Sequence, residues 1–329
     1  MIGILGSGSW ATALTKIILE HPGQVADWWV REPEIIEGLH CTGRNPFYLS
    51  EADIDVSRIH ISDDIRHIVE ASDDLLMVIP SAFIHSAIKD LPPDLLQRKN
   101  IHIATKGLIP ETNQIITEYL HDSYGVDYSH MTVVSGPSHA EEAARERLTY
   151  LTVASSNEAL AQTMREALNC HYVKTVYSDD IQGIEYATVM KNIYAIGAGL
   201  CRGLGYGDNL IAVMISNAVH EGFEFSQHFL PLEGRRVDSF AYLGDLLVTC
   251  YSQFSRNRTF GQMLGHGYSV KGAQQEMNMV AEGYYGVKGV EKKRRELGVE
   301  MPIAQAIYRI LYEKADARRA MRPVLENLK

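Results

Sequence analysis

Within the run Gly183 to Gly199, GIEYATVMKNIYAIGAG, one lysine interrupts what is otherwise a buried-helix pattern. On a helix, Ile184, Thr188, Lys191 and Ala195 follow at spacings of four, three and four, so Lys191 shares a face with mostly small neighbours that can pack closely. An ammonium taken out of water costs on the order of several kcal/mol unless it is paired or deprotonated. Such a lysine has either a buried partner or a task, and the task open to it is proton transfer. Other segments carry further polar chemistry. YLGDLLVTC puts Asp245 and Thr249 at i, i+4 on one helical face. SQFSRNRTFG offers Ser255, Arg256, Asn257 and Arg258, a hydroxyl, forked guanidiniums and an amide suited to gripping a phosphate, with a solvated basic turn as the plain alternative. IATKGL sets Lys106 and Gly107 just after one strand, and VVSGPSHAEE sets Ser135, Gly136 and Ser138 after another. In parallel sheets ligands bind outside the carboxyl ends of the strands, where both loops would lie.

The opening residues, MIGILGSGSWATAL, point to a nucleotide. A short apolar strand runs straight into Gly6-x-Gly8-x-x-Ala11 and then into helix formers. The first glycine allows a tight turn, the second lets a pyrophosphate approach the backbone, and the small third residue lets helix pack on strand. The motif is common, and its setting between strand and helix is what makes it a dinucleotide site. About twenty residues later, where such a site carries Asp or Glu, the chain reads DWWVREPE, with Arg31 beside Glu32. A guanidinium suits the 2′-phosphate of NADP or stacks on adenine, and a carboxylate accepts from a free ribose hydroxyl. Both NADPH and NADH therefore stay open, with a lean towards NADPH.

These groups need two scaffolds. Up to residue 180, β-prone runs at Ile2–Leu5, Val25–Val30, Leu75–Ile79, Ile101–Ala104, Met131–Val134, Tyr150–Ala154 and Val173–Tyr177 alternate with amphipathic helical stretches. Alternation of that kind predicts a doubly wound, largely parallel sheet. Beyond it the pattern is helix after helix: Ile181–Gly199, Leu210–Phe229, Ser239–Thr249, Ala273–Met279, Gly286–Leu297 and Met301–Tyr312. The chain reads as α/β plus all-α, with a Rossmann-like NAD(P)-binding domain over 1–180 and a helical substrate-binding and catalytic domain over 181–329.

Composition narrows the partners. With 31 basic and 41 acidic side chains among 329 residues the net charge is -10, which opposes broad nucleic-acid binding and leaves a local anion site open. Cys41, Cys170, Cys201 and Cys250 form no C-x-x-C pair and no metal-ligand spacing, so reduced thiols and no metal are expected. No apolar run reaches the roughly 20 residues a membrane span needs. MIGILG lacks the basic start and cleavage site of a signal peptide, so the expected location is the cytoplasm.

In order along the chain, GSGSWATAL, ATKGL, SGPSHAEE, GIEYATVMKNIYAIGAG, GDNLIAV, LGDLLVTC, SRNRTFG and VAEGYYGVKGV resemble NAD(P)-dependent glycerol-3-phosphate dehydrogenase of the soluble bacterial type, over nearly the full length. The runs around Lys191 and Ser255 are the specific ones. The resemblance implies a helical domain like the C-terminal domain of 6-phosphogluconate dehydrogenase. It implies Lys191 as general acid/base at the substrate carbonyl, Lys106, Asn192 and Asp245 around the reacting carbon, and Thr249 at a substrate contact. It places Gly136 and Ser138 in the substrate loop, and Ser255, Arg256 and Asn257 on the substrate phosphate. For the cofactor it implies Gly6, Gly8, Ser9, Trp10, Ala11, Arg31, Ala140, Val280 and Glu282, with Lys106 and Arg256 reaching it as well.

The reaction so implied is reversible hydride transfer between NAD(P)H and dihydroxyacetone phosphate, a phosphate ester, giving sn-glycerol 3-phosphate for glycerophospholipid synthesis in a cytoplasmic homodimer. Its chemistry suits the residues independently. Ketone reduction builds negative charge on oxygen and calls for a proton donor with electrostatic support. The chain departs from the family at Asn217-Ala218-Val219-His220, where relatives carry an arginine, and at SFAYLGDL, where they are richer in glycine and alanine. Two alternatives are a related two-domain hydroxyacid dehydrogenase, which would have no use for a phosphate clamp, and a non-catalytic nucleotide sensor, which would not need Lys191.

Overall fold

A computed structural model describes residues 1–277 and 281–329. They form two compact units, Met1–Thr105 with Ile116–Ile181, and Lys106–Ile115 with Gln182–Lys329.

Short β-branched and apolar runs give the first unit one eight-stranded sheet: β1 (Ile2–Leu5), β2 (Ala26–Trp29), β3 (Ile59–Ser62), β4 (Asp74–Met77), β5 (Asn100–Ile103), β6 (Met131–Ser135), β7 (Thr149–Ala154) and β8 (Val173–Ser178). Their order is β3-β2-β1-β4-β5-β6-β7-β8. Every pairing is parallel except β6 with β7. Leu5 at the end of β1 pairs with both Trp29 and Met77, so the chain leaves β1 at the point where strand order reverses. A doubly wound sheet opens its ligand crevice there. β1 and β2 are buried along their whole length, as expected when helices cover both faces. The doubly wound sheet is the one the alternation predicted, but β3 gave no readable signal. Its four residues, IHIS, are half-exposed on the sheet edge and too few to establish a period.

The second unit is helical: Ile181–Gly203, Asp208–Phe229, Asp245–Tyr251, Arg256–Gly265, Val270–Glu276, Glu282–Leu297, Pro302–Tyr312 and Ala317–Glu326. A π-helical turn, Phe240–Gly244, leads into Asp245. Two of these helices are absent from the sequence reading. Arg256–Gly265 begins with the polar run that suggested a turn, yet Ser255 caps it, its Oγ accepting from the Arg258 N–H at 3.3 Å. Ala317–Glu326 carries Pro323 inside it, which argues against helix from local propensity alone. Among the described residues no helix is long and apolar enough to cross a membrane.

The unit boundaries differ from a cut at 180 in one segment. Lys106–Ile115 leaves β5 and belongs with the helices, because Leu108 and Ile115 are buried in the helical core. Leu108 lies against Gly289, where an added Cβ would meet Leu108 Cδ1 at 2.3 Å. The loop that carries Lys106 is thereby anchored to the helical unit.

The lysine-bearing helix Ile181–Gly203 crosses Arg256–Gly265 backbone to backbone. A Cβ on Gly199 would fall 2.0 Å from the Arg258 carbonyl oxygen, and one on Gly261 would fall 2.0 Å from that of Ile196. Gly203 and Gly265 continue the contact at 2.3 Å from Gln262 O and 2.6 Å from Leu200 O. Gly261→Ala is expected to force these helices apart and lower the unfolding free energy by about 1–3 kcal/mol or more, the scale of overpacking. Chemical denaturation reads this directly, and an unchanged midpoint would mean that the backbones do not touch.

Candidate active site

Lys191 sits midway along Ile181–Gly203 and is only 5% exposed. Its Nζ hydrogen-bonds and ion-pairs with Asp245 Oδ1. Asp245 is buried at the first residue of its helix, and Lys106 Nζ stands 3.9 Å from its other oxygen, Oδ2. One carboxylate therefore serves two cations. The wall beside Lys191 is mostly apolar, with Met190, Phe223, Val237, Tyr242 and Leu246 among its residues. Burial is the largest influence on the lysine and drives its pKa down. Asp245 pushes it back up, Lys106 drives it down again, and the result falls from 10.5 to about 7. An amine with that pKa can give up or take a proton at neutral pH, as a general acid/base must.

Next to Lys191, the buried Asn192 accepts through Oδ1 from Asn257 Nδ2 at 3.0 Å. Asn257 Oδ1 in turn accepts from the Gly283 backbone N–H at 2.9 Å. Thr249 turns its hydroxyl back onto the Asp245 carbonyl at 2.6 Å. Arg256, Asn257 and Arg258 are the first three residues of their helix, whose first turn carries no acid. Such an N-terminus suits an anion through its N–H groups and dipole. Arg256 is exposed, whereas Ser255 and Asn257 are buried. Glu282 opens the helix Glu282–Leu297. Val280, expected at the cofactor, lies outside the described residues, as does Met279 at the end of an expected helix.

The nucleotide-binding expectations fall in the first unit. Gly6 has φ +127°, and a Cβ there would lie 3.0 Å from the Val78 backbone. Only glycine suits both constraints. Gly8 is the N-cap of Ser9–Leu19, with open space where a Cβ would point and no acid in the helix's first turn. Ser9 and Trp10 start that helix, and Ala11 in the same turn is fully buried. The loop therefore offers an uncrowded helix N-terminus that fits a dinucleotide pyrophosphate. At the end of β2, Glu32 accepts from Ser7 Oγ at 2.5 Å and pairs with Arg31 at 2.7 Å. Burial alone would raise the Glu32 pKa, but these hydrogen bonds outweigh it and hold the carboxyl below its usual range. Gly136 has φ +133°, and a Cβ there would strike the Tyr150 carbonyl oxygen at 2.6 Å. Ser138 Oγ donates to Gly136 O at 3.0 Å, and Ala140 starts the short helix that follows.

The structure adds residues that sequence reasoning missed. Asn45 is fully buried and donates to Ser7 O at 2.8 Å and Thr12 Oγ1 at 3.0 Å, bracing the glycine loop. A lone asparagine in GRNPF carries no signal of that. The departures from the family also find places. Asn217 exchanges hydrogen bonds of 2.9 and 3.0 Å with the Lys329 backbone, and Tyr242 of SFAYLGDL lines the wall beside Lys191.

Comparison with known proteins bears on both units. Residues 1–161 match the family described as NAD-dependent glycerol-3-phosphate dehydrogenase N-terminus, and residues 180–322 match its C-terminus. A glycerol-3-phosphate dehydrogenase [NAD(P)+] of Vibrio campbellii is 36% identical over 323 residues, 98% of this chain and 92% of that protein. The crystal structure of glycerol-3-phosphate dehydrogenase from Coxiella burnetii superposes with a TM-score of 0.90 at 32% identity, over 99% of this chain and 98% of that one. A ketopantoate reductase from Ralstonia eutropha, at 15% identity and a TM-score of 0.61 over 98% of this chain and 100% of that one, shares the fold alone.

The depressed lysine pKa has a consequence for stability. Between about 7 and 10.5 the unfolded chain binds more protons at Lys191 than the folded one, so this residue's contribution to stability rises with pH across that window. Glu221, pushed up to about 7 by burial from 4.5, acts in the opposite sense and below it. In wild type against Lys191→Met, the difference in unfolding free energy is expected to shift in favour of wild type from pH 7 to pH 10.5. Denaturant titrations at several pH values measure it, and a flat difference would mean an ordinary, solvated lysine.

Proposed function

This chain belongs to the NAD-dependent glycerol-3-phosphate dehydrogenase family, and from that premise we propose that it interconverts dihydroxyacetone phosphate and sn-glycerol 3-phosphate with Lys191 as the acid/base. It is an NAD(P)-dependent oxidoreductase acting on a CH–OH group. The observation that carries the proposal is the buried Lys191–Asp245 pair with Lys106 as a second cation.

The Gly6–Ala11 loop would hold the pyrophosphate of the dinucleotide, with Arg31 and Glu32 at its adenosine ribose, and the bound nicotinamide would supply or accept the hydride. In the reducing direction Lys191 gives its proton to the ketone oxygen as charge develops there. In the oxidising direction the neutral amine takes the proton back. Asp245 holds the ammonium in place and compensates it while buried, and Lys106 keeps that compensation incomplete, so the proton is not trapped. The Ser255-capped helix N-terminus with Arg256 receives the substrate phosphate by charge-assisted hydrogen bonds. A hydroxyacid substrate would leave that cationic end without a partner, which is why the phosphate ester is preferred. The reduction supplies the glycerol backbone for phospholipids.

The test is oxidation of NADPH and of NADH in the presence of dihydroxyacetone phosphate. Lys191→Ala is expected to lose about 10²- to 10⁴-fold in kcat, the range for a positioned acid/base, while its affinity for cofactor stays near wild type. Wild-type reduction should decline as pH rises through about 7, and glycerol 3-phosphate oxidation should decline as pH falls through it. Near-normal turnover by the variant would make Lys191 structural, and faster turnover of a phosphate-free hydroxyacid would replace the substrate. Arg31→Ala should cost NADPH roughly 10- to 100-fold in kcat/KM and NADH less, as expected for losing a charged hydrogen bond to a phosphate. Equal losses would assign Arg31 to adenine stacking.

A further inference from the structure

We infer that Asn257 is a positioning residue that decides which end of the Asn192 amide faces the reaction, an assignment that rests on the dehydrogenase reading above. The oxygen and nitrogen of a side-chain amide are sterically alike, so its orientation follows from its partners. Here the partners leave one solution. The Gly283 backbone N–H can only donate, so the Asn257 atom 2.9 Å from it is the oxygen. The other end of Asn257 is then its NH₂ group, and the Asn192 atom 3.0 Å from it must be an acceptor, Oδ1. With its oxygen end turned towards Asn257, Asn192 presents its NH₂ group at the other end of the amide.

Donors are what the reduction needs. Asn192 follows Lys191 directly on the same buried helix, and an N–H group stabilises the negative charge that grows on a ketone oxygen. A reversed amide would turn a carbonyl dipole on that charge. The chain of three groups is held by close packing as well as by hydrogen bonds. A Cβ on Gly283 would lie 2.5 Å from the Asn192 carbonyl oxygen, so the start of Glu282–Leu297 rests on the backbone of the lysine helix. Asn257 and Asn192 are 7% and 6% exposed, so water does not compete well for either amide. This role is separate from the grip on phosphate expected for Asn257: its oxygen accepts from Gly283 and one N–H goes to Asn192, and the second N–H is what remains for a ligand.

The two roles separate in experiment. Asn257→Asp keeps an acceptor for Gly283 but presents oxygen to Asn192, which must then turn its NH₂ towards position 257. Turnover of dihydroxyacetone phosphate is expected to fall about 10²-fold, the scale for losing one oxyanion donor, mostly in kcat. Phosphate-free dihydroxyacetone should lose the same factor, because the effect does not pass through the phosphate. In an Asn192→Ala background Asn257→Asp should cost almost nothing more, since contacting residues that act through one another are non-additive. Amide hydrogen exchange at Gly283 should be unchanged in Asn257→Asp and faster in Asn257→Ala. The inference is overturned if dihydroxyacetone turnover is untouched, if the two substitutions add in full, or if Asn257→Ala leaves Gly283 exchange unchanged. A wild-type protein inert towards both ketones would instead sink the dehydrogenase reading and the catalytic half of this inference with it, while the exchange measurement still decides the orientation.

Discussion

The backbone contact between Ile181–Gly203 and Arg256–Gly265 is the constraint on which the helical unit is built. Helices usually pack with axes about 8–10 Å apart, set by the side chains between them. Where Gly199, Gly203, Gly261 and Gly265 meet, no side chain stands between the two backbones. Only at that approach can short asparagine side chains, Asn192 and Asn257, bond directly across the interface. On another side Gly283 and Gly286 let Glu282–Leu297 come up to the same helix, with Gly286 facing Val189. Lys191 therefore projects from a helix whose position is set by backbone contacts, which leave little slack in where its side chain is placed.

Rigid placement matters because of what is buried there. An isolated ammonium in an apolar wall would be neutral, and a simple ammonium–carboxylate pair would hold its proton tightly. Lys191 has an apolar wall, a carboxylate partner and a second cation on that carboxylate, and the opposing effects leave its pKa at about 7. The second cation comes from the Lys106–Ile115 loop, which Leu108 and Ile115 tie to the helical core. Asp245 arrives through a π-helical turn, a local irregularity that is over-represented at functional sites. Stability is given up to keep these charges dry, which is the usual relation between perturbed titration and function.

The nucleotide-binding unit solves a different problem, holding a glycine loop in one shape with few side chains of its own. Asn45 bonds to Ser7 O and Thr12, while Ser7 Oγ bonds to Glu32. Glu32 is also paired with Arg31, so the acid and the base at the end of β2 form one linked group.

Local spacing made the groups themselves legible before any fold was known. Gly6-x-Gly8-x-x-Ala11 directly after a strand, a lysine inside a buried helical run, and Ser-Arg-Asn-Arg are patterns within a few neighbouring residues, and their physics is local. β3 escaped because an edge strand of four half-exposed residues has no period to read. The helix after Ser255 escaped because its first turn, Arg256-Asn257-Arg258, is polar and reads like a solvated turn, with the Ser255 cap as its clue. Asn45 and the passage of Lys106–Ile115 into the helical unit left no local trace at all. By itself the sequence determined which groups are present: the glycine loop, the lysine, the carboxylate and the Ser-Arg-Asn-Arg run. Tertiary structure alone decided what each is paired with, since Lys191 meets Asp245 across 54 residues and Asn257 meets Asn192 across 65. A pKa and an amide's orientation are properties of those partners, and partners so distant in the chain are chosen by packing.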